Sequence, residues 1–498
     1  MRPFSCPSRT TFGRSDFCAS LLAVCLLLFS GVSRATPCIT LSKKSGPPTS
    51  QILVSGRGFE PNVGVNIYFD TRDEALVVTN GKGEFKDAKA YAPRSARPGQ
   101  HWVTALERNN DQGAQKRFLV QTNWSQFRFG ESLTGQNPYE NVLNRSTVGL
   151  LDLEWTFPTR YEVTAPAVFG GMIYFGSGDG NVYAVKASTG TELWSFPTNG
   201  AVVYSDAAVA KGIVYVGSED GNLYALKASN GRELWRFNTF NYVGTPTVAD
   251  DVVYVGSETG DLYALNARTG TELWSFYTGS WWVSGIAFVN GVVFFGANNG
   301  NVYALDAKDG TMLWSYTTQN YVDGPAVANG VVYAPSWDNS LYALDSATGS
   351  LLWKYTTSGG LTCSPAVADG IVYLGSNGGG VYALDAYSGK ELWSAPAGGC
   401  YGSSPAIANG VLYASDEGHV FALEAATGRQ LWFYATGGSC PSVVNGMVFV
   451  GSAPNLYAFS LKYGTHERNG DSRRVTLKAL RPDFSLKEAK PVTTAPHL

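Results

Sequence analysis

An all-β chain, an eight-bladed β-propeller of four-stranded blades preceded by a small β-sandwich of immunoglobulin-like size, is what three features of this 498-residue sequence predict. Eight Trp recur almost evenly from residue 155 onward. Short apolar runs alternate with Gly, Asn and Asp turns throughout the same region. The composition suits a packed, turn-rich body: 57 Gly, with 44 % apolar and 13 % aromatic residues against 15 % charged, excludes disorder for most of the chain.

At the N-terminus, Arg2, Arg9 and Arg14 precede an apolar run from Ala19 to Val32 and the small-residue site Ser33-Arg34-Ala35, the pattern of a secretory signal peptide. The run is shorter than the roughly 20 residues a membrane-spanning helix needs. Residues 1–35 are therefore expected to be removed after Ala35, leaving an exported protein that does not span the membrane, whether periplasmic, cell-surface or extracellular. Retention as an anchor is the alternative. Cys38 lacks a lipoprotein box in front of it. Of the remaining cysteines, Cys363, Cys400 and Cys440 stand at comparable places in the repeating part of the chain. Export puts them in an oxidising compartment, where a structural disulfide among the three is allowed with its pairing open.

Residues 36–122 read as the sandwich. Apolar runs at 52–56, 63–69, 75–78, 101–106 and 116–120 are separated by Gly, Pro and Asn about every ten residues. A spacing or adhesive role fits such a module. Residues 123–152 form a lead-in segment between the sandwich and the repeat.

The repeat occupies residues 153–461. Trp155, Trp194, Trp235, Trp274, Trp314, Trp353, Trp393 and Trp432 are spaced 39, 41, 39, 40, 39, 40 and 39 apart. Between them recurs one unit, as in GIVYVGSEDGNLYALKASNGRELW at 212–235. Each unit holds four strand-like runs joined by turns such as Asp220-Gly221 and Asn299-Gly300, whose residues tolerate positive φ. Four strands per 40 residues is a propeller blade. A Trp strand without a blade (153–157) and a blade without a Trp strand (446–461) complete each other, which predicts closure by the N-terminal strand. Residues 462–498, with eight Lys and Arg against four Asp and Glu, are expected to be a flexible basic tail.

Charge excludes one class of function. With 37 Lys and Arg against 40 Asp and Glu, nothing broadly attracts nucleic acid. Four scattered His give no metal centre, and His419 has no assignable nucleophile beside it.

The segments ALDAKDGTMLW (304–314), ALNARTGTELW (264–274) and ALDSATGSLLW (343–353) resemble the docking motif of the pyrroloquinoline quinone (PQQ) propeller repeat family. Residues 124–143 are similar to the segment before that family's first blade, and the sandwich is similar to Ig-like modules of secreted bacterial proteins. The resemblance implies one of two branches: quinoprotein alcohol dehydrogenases holding PQQ and Ca²⁺, or non-catalytic relatives such as the outer-membrane assembly lipoprotein of Gram-negative bacteria. The dehydrogenases place two adjacent Cys against the quinone and carry long insertions between blades. This chain has no Cys-Cys dipeptide and a spacing that leaves no room for insertions. No cofactor is therefore expected, and PQQ with Ca²⁺ belongs to the alternative. The eight Trp are expected to dock neighbouring blades.

Aligned on their inner strands, the blades place Glu162, Tyr242, Trp282, Tyr321 and Tyr401 in one column, with Asp323 among small polar residues (Thr164, Ser205, Ser284, Ser403, Ser439) two positions on. Period-two alternation puts both columns on one side. Glu162, Tyr242, Trp281, Trp282, Tyr321, Asp323 and Tyr401 are thus the candidate ligand-binding residues of a channel mouth, unless the aromatics only fill gaps between blades. The expected function is a monomeric, non-catalytic protein-interaction or ligand-binding scaffold for an envelope or extracellular protein. A dehydrogenase is the first alternative and a saccharide-binding propeller the second.

Overall fold

The computed structural model describes residues 36–110, 112–378, 380–396 and 403–462. The predicted signal peptide, the basic tail beyond Lys462, Cys400 and Tyr401 lie outside the described residues. Those described divide into two compact units, one ending at Val120 and one beginning at Gln121.

In the first unit, a three-stranded sheet (Cys38–Leu41, Gln51–Arg57, Phe85–Tyr91) and a five-stranded sheet share one core. The larger sheet runs in the order Ser45–Gly46, Gly113–Val120, Gly99–Glu107, Gly64–Phe69, Arg72–Val78. Ile39, Ile52, Val54, Val65, Ile67, Phe69, Val103 and Phe118 fill the core. Alternation makes Gln51–Arg57 readable as a strand, with Ile52, Val54 and Gly56 at the buried positions. Phe85–Tyr91 escapes the same reading. Beyond Phe85 it buries only Ala88 and Ala90 and otherwise carries Lys86, Asp87 and Lys89.

His101 in this unit is held on both ring nitrogens. Nδ1 lies 2.6 Å from Asp70 Oδ2, and Nε2 lies 2.7 Å from the carbonyl oxygen of Arg97. Both partners only accept, so the ring satisfies both as the imidazolium. Burial works against that charge. The Asp70 hydrogen bond, the Arg97 carbonyl and the Asp70 charge outweigh it and raise the pKa above 6.5.

The second unit opens with a lead-in and continues, among the described residues, as eight sheets of four antiparallel strands each, the seventh gaining a fifth, parallel strand, Gln136–Asn137, from the lead-in. The first comprises Ala167–Phe169, Met172–Gly176, Asn181–Lys186 and Glu192–Pro197, and six more succeed it in the same consecutive order. The eighth takes Ser442–Val444, Met447–Ser452 and Asn455–Leu461, and Leu151–Pro158 completes it. That strand runs antiparallel to Asn455–Leu461, from Leu151 opposite Leu461 to Pro158 opposite Asn455. Inner strands of successive sheets are neighbours, and the eighth neighbours the first. The result is the closed ring of a β-propeller, with no open sheet edge at a seam.

One contact repeats around the ring. Every one of the eight indoles donates Nε1–H to a backbone carbonyl of the next sheet at 2.9 to 3.1 Å, from Trp155 to Ala187 through Trp432 to Leu151. In three sheets a buried Tyr shares that carbonyl: Tyr174 with Trp194 on Ala228, Tyr215 with Trp235 on Ala267, Tyr333 with Trp353 on Ala386. Seven of the indoles also lie flat on the Gly of the next Thr-Gly-type turn. Gly270, at φ 73°, would bring a Cβ within 2.6 Å of the Trp235 ring. The motif therefore needs Gly twice over, for its φ and for the closeness of the ring.

Along the axis, the inner strands, three residues long in every sheet but the fourth, where Val283–Val289 has seven, turn an edge inward. Residues 122–137 satisfy that edge sheet by sheet. Val168 exchanges two hydrogen bonds with Trp124, and Val209 N–H donates to Ser125, Phe288 to Glu131, Val327 to Ser132, Val367 to Thr134 and Ile407 to Gly135. Val248 N–H donates to the Gln126 side chain, and Asn137 donates to the Val443 carbonyl. Arg128, buried within this segment, donates to the Pro365 carbonyl.

If the docking contact is as tight as its geometry, Gly270→Ala lowers stability by roughly 2–4 kcal/mol through strained φ plus overpacking. Gly291→Ala, at φ 79° with nothing within 4 Å, costs about 1 kcal/mol from φ alone. Equal urea midpoints for the two variants would contradict the docking account. Because the folded-state pKa of His101 is raised, its stabilisation is full below about pH 6.5 and is lost as pH rises through the folded value. The amide protection factors in Gly99–Glu107 of the full chain, corrected for the intrinsic base-catalysed rate, fall over that window, and His101→Gln removes the fall.

Candidate functional site

In four sheets, the first, third, fourth and fifth, the approach to the inner strand is set by a Val buried between sheets. Val163, Val243 and Val322 make isolated bridges to Ser177, Ser257 and Ser336, and Val283 is equally buried. With Val turned inward, the preceding residue faces outward. Glu162 is exposed, and Tyr242, Trp282 and Tyr321 are half-buried.

The rings gather into two clusters that span the second to fifth sheets. Tyr204 stacks on Tyr242 at 5.9 Å and meets Trp282 edge-on at 6.1 Å. Trp281 meets Tyr321 edge-on at 6.1 Å, and Tyr321 lies 5.5 Å from Trp337. The adjacent Trp281 and Trp282 thus serve different clusters. Tyr204, Trp281 and Trp337 are 54 %, 55 % and 45 % exposed, too open for packing alone to account for them. Glu162, on the first sheet, stands outside both clusters.

Two members of these clusters lie outside the residues that the sequence singles out. Tyr204 lies two residues after Val202, which takes the buried place that Val243, Val283 and Val322 hold in the next sheets. Trp337 sits in the turn between second and third strands, a place otherwise filled by Gly, Glu, Asn, Asp or Ala. Being the sole aromatic in that turn column is the signal that marks it.

The hydroxyl-bearing members of the small polar column do not share the mouth with the aromatics, contrary to expectation. Thr164, Ser205 and Ser439 accept from the N–H of Gly176, Gly217 and Gly451 at 2.7 to 3.0 Å, and Ser284 donates to the Gly296 carbonyl at 3.0 Å. All but the half-buried Ser439 are buried. Alternation fails here because the backbone bulges before the inner strand, as between Val283 and Ile286. The hydroxyls are drawn instead to backbone groups at the ends of the second strands, Gly176, Gly217, Gly296 and Gly451.

Two carboxylates stand at these approaches. Burial pushes Asp323 up to about 6, against the Gly324 N–H at 3.1 Å and the Trp337 side chain, which favour its charge. Burial likewise pushes Asp206 up to about 7. The Ala165 N–H, at 2.7 Å, and the Thr245 hydroxyl offset this only partly. Asp323 is thereby tied to the Trp337 cluster, not isolated at a turn.

Cysteine chemistry differs from the expectation. Cys363 is a free thiol with Sγ 3.7 Å from the Gly375 carbonyl, so no bridge includes it. Cys440 Sγ accepts from the Ser404 N–H at 3.0 Å, and burial pushes its thiol up to about 12. A thiol so protonated is a poor nucleophile. Cys440 serves as an acceptor and Cys363 as a donor to backbone groups of different sheets, and among the described residues neither forms a bridge. Cys400 lies outside the described residues.

The chain matches the family of the outer membrane protein assembly factor BamB over residues 178–281 and 278–468, more than half its length. No curated protein matches it. Among solved structures, BamB from Moraxella catarrhalis is similar at 19 % identity and TM-score 0.55, covering 64 % of this chain and 99 % of that one. The computationally designed Ika8 protein is similar at 19 % identity and TM-score 0.56, covering 61 % and 97 %. Quinohemoprotein alcohol dehydrogenase from Comamonas testosteroni is similar at 18 % and 0.58, covering 68 % and 80 %. At such identities the likeness speaks for the fold.

The raised Asp206 pKa gives a signed prediction. Such a carboxyl group stabilises the fold below its unfolded value of about 4 and loses that contribution as pH rises to about 7. Asp206→Asn keeps the acceptor for Ala165 and should raise stability at pH 8 by on the order of 2 kcal/mol, with little change at pH 4. A variant less stable at pH 8 would mean that the carboxylate is charged and paired.

Proposed function

The chain belongs to the family of the outer membrane protein assembly factor BamB, and from that premise we propose that it is an exported, non-catalytic propeller acting as a protein-interaction scaffold at the cell envelope. One observation carries the reading: two clusters of exposed aromatic rings standing side by side across four sheets. Exposed aromatics of this density are the usual anchors of a protein interface. Among the described residues no helix is long and apolar enough to cross a membrane.

A quinone cofactor fits the mouth poorly. The dehydrogenase branch needs adjacent cysteines, and Cys363 stands alone as a free thiol. Asp323, the carboxylate beside the rings that could stand as a base, is engaged by Gly324 and Trp337. No three His, Cys, Asp or Glu among the described residues are placed to hold a metal ion. These features speak for a cofactor-free reading. The near-parallel rings of Tyr204 and Tyr242, tilted by 20°, favour saccharide stacking as the second reading.

Photo-crosslinking in the source cells tests the proposal. A benzoylphenylalanine at position 281 should yield a discrete adduct with an envelope or extracellular protein, and one at position 351, on an outer strand, should not. PQQ and Ca²⁺ added to the purified protein should leave dye-linked alcohol oxidation at background. Turnover with the quinone, or equal labelling from both positions, would sink the reading.

A further inference from the structure

We propose that Trp281, Tyr321, Trp337 and Asp323 form a binding site for a cationic side chain, the guanidinium of an arginine in a partner polypeptide. The site rests on the scaffold reading and names the chemistry that the scaffold would recognise.

The chain itself shows how it holds cations beside the turns between second and third strands. In the second sheet Arg236 lies over the Tyr224 ring at 5.1 Å while its guanidinium pairs with Glu233 at 2.7 and 2.8 Å, and the Tyr224 hydroxyl donates to Asp220 at 2.5 Å. In the fifth, Lys354 Nζ lies over Tyr342 at 4.7 Å and 4.0 Å from Asp338, to which the Tyr342 hydroxyl donates. Ring plus carboxylate is thus a repeated cation seat filled from within the same sheet. Asp323 is approached by the side chain of Trp337, whose ring packs on Tyr321 and through it on Trp281, so a carboxylate stands at the edge of a ring cluster, and among the described residues no Lys or Arg pairs with it.

The electrostatics agree. A carboxylate beside aromatic faces attracts a cation through charge and ring quadrupole together, and guanidinium stacks on Trp more readily than ammonium does. Asp323 feels burial uncompensated by any cation, which is why its pKa stands near 6. The turns between second and third strands also carry Asp179, Glu219, Asp220, Glu258, Asp338, Asp416 and Glu417. That acidic setting favours a basic partner. The neighbouring Tyr204, Tyr242 and Trp282 cluster gives an apolar residue of the same segment a place to dock, which points to a polypeptide over a small cation.

Calorimetric titration of the full chain tests this with four probes: an acetylated and amidated Gly-Arg-Gly-Leu-Gly peptide, its citrulline twin, tetramethylammonium and maltotetraose. The arginine peptide should bind about tenfold more tightly than the citrulline peptide and shift the Trp337 indole N–H resonance. Asp323→Asn, which keeps an acceptor for Gly324, should abolish that preference, as should Trp337→Ala. Asp309→Asn, on an exposed turn away from the site, should leave it unchanged. Equal affinity for the arginine and citrulline peptides, or a preference that survives Asp323→Asn, overturns the site. Binding of tetramethylammonium as tight as the peptide overturns the polypeptide assignment, and maltotetraose alone binding overturns the cation chemistry. No peptide binding together with an adduct at position 281 refutes the site and leaves the scaffold reading standing.

Discussion

A Trp ring lying on a backbone that has no side chain is the contact on which the rest of this propeller depends. Each indole reaches one sheet ahead, donates to a carbonyl there, and in seven sheets rests on a turn Gly whose Cβ would stand 2.5 to 2.7 Å from the ring. Such a contact tolerates little change in spacing, because the turn and the ring must arrive in register. That is the physical reason the Trp recur every 39 to 41 residues. It also explains the closure: Trp155 docks on the first sheet from the strand that completes the eighth, and Trp432 docks on Leu151 at the start of that same strand.

Docking on the outside leaves the axis unsolved. Eight short inner strands meet there, and buried backbone groups must find partners. The lead-in supplies them by running from strand to strand, meeting the first inner strand at Val168, well past Glu162 of the aromatic column. One end of the inner strands is thereby occupied by the chain itself, while the other keeps its aromatics exposed. Recognition and structure are divided between the two ends of the same strands.

How much of this is legible in the sequence varies with the range of the cause. Strand runs, turns and the Trp period are local patterns, and Gln51–Arg57 or the Ala-x-Asp turns can be read directly. Tyr242, Trp281, Trp282 and Tyr321 emerge because they share a column or adjoin it, yet their split into two clusters does not, since adjacent Trp281 and Trp282 face different neighbours. Trp337 escapes because it sits in a turn, outside that column. The hydroxyls of the small polar column are misplaced when alternation is extended across a bulge, where a hydrogen bond to the next strand overrides side-chain period. The free Cys363 has a related reason: equivalent positions in a repeat need not face each other.

The sequence by itself determined the repeat, the all-β class, the closing strand and the family, because each depends on residue types at fixed separations along the chain. Only the tertiary structure decided which aromatics touch, that Asp323 answers to Trp337, and that residues 122–137 cap every inner strand. Those are meetings between segments up to about 300 residues apart, as Asn137 and Val443 are, and no spacing within one segment encodes the direction in which another will arrive.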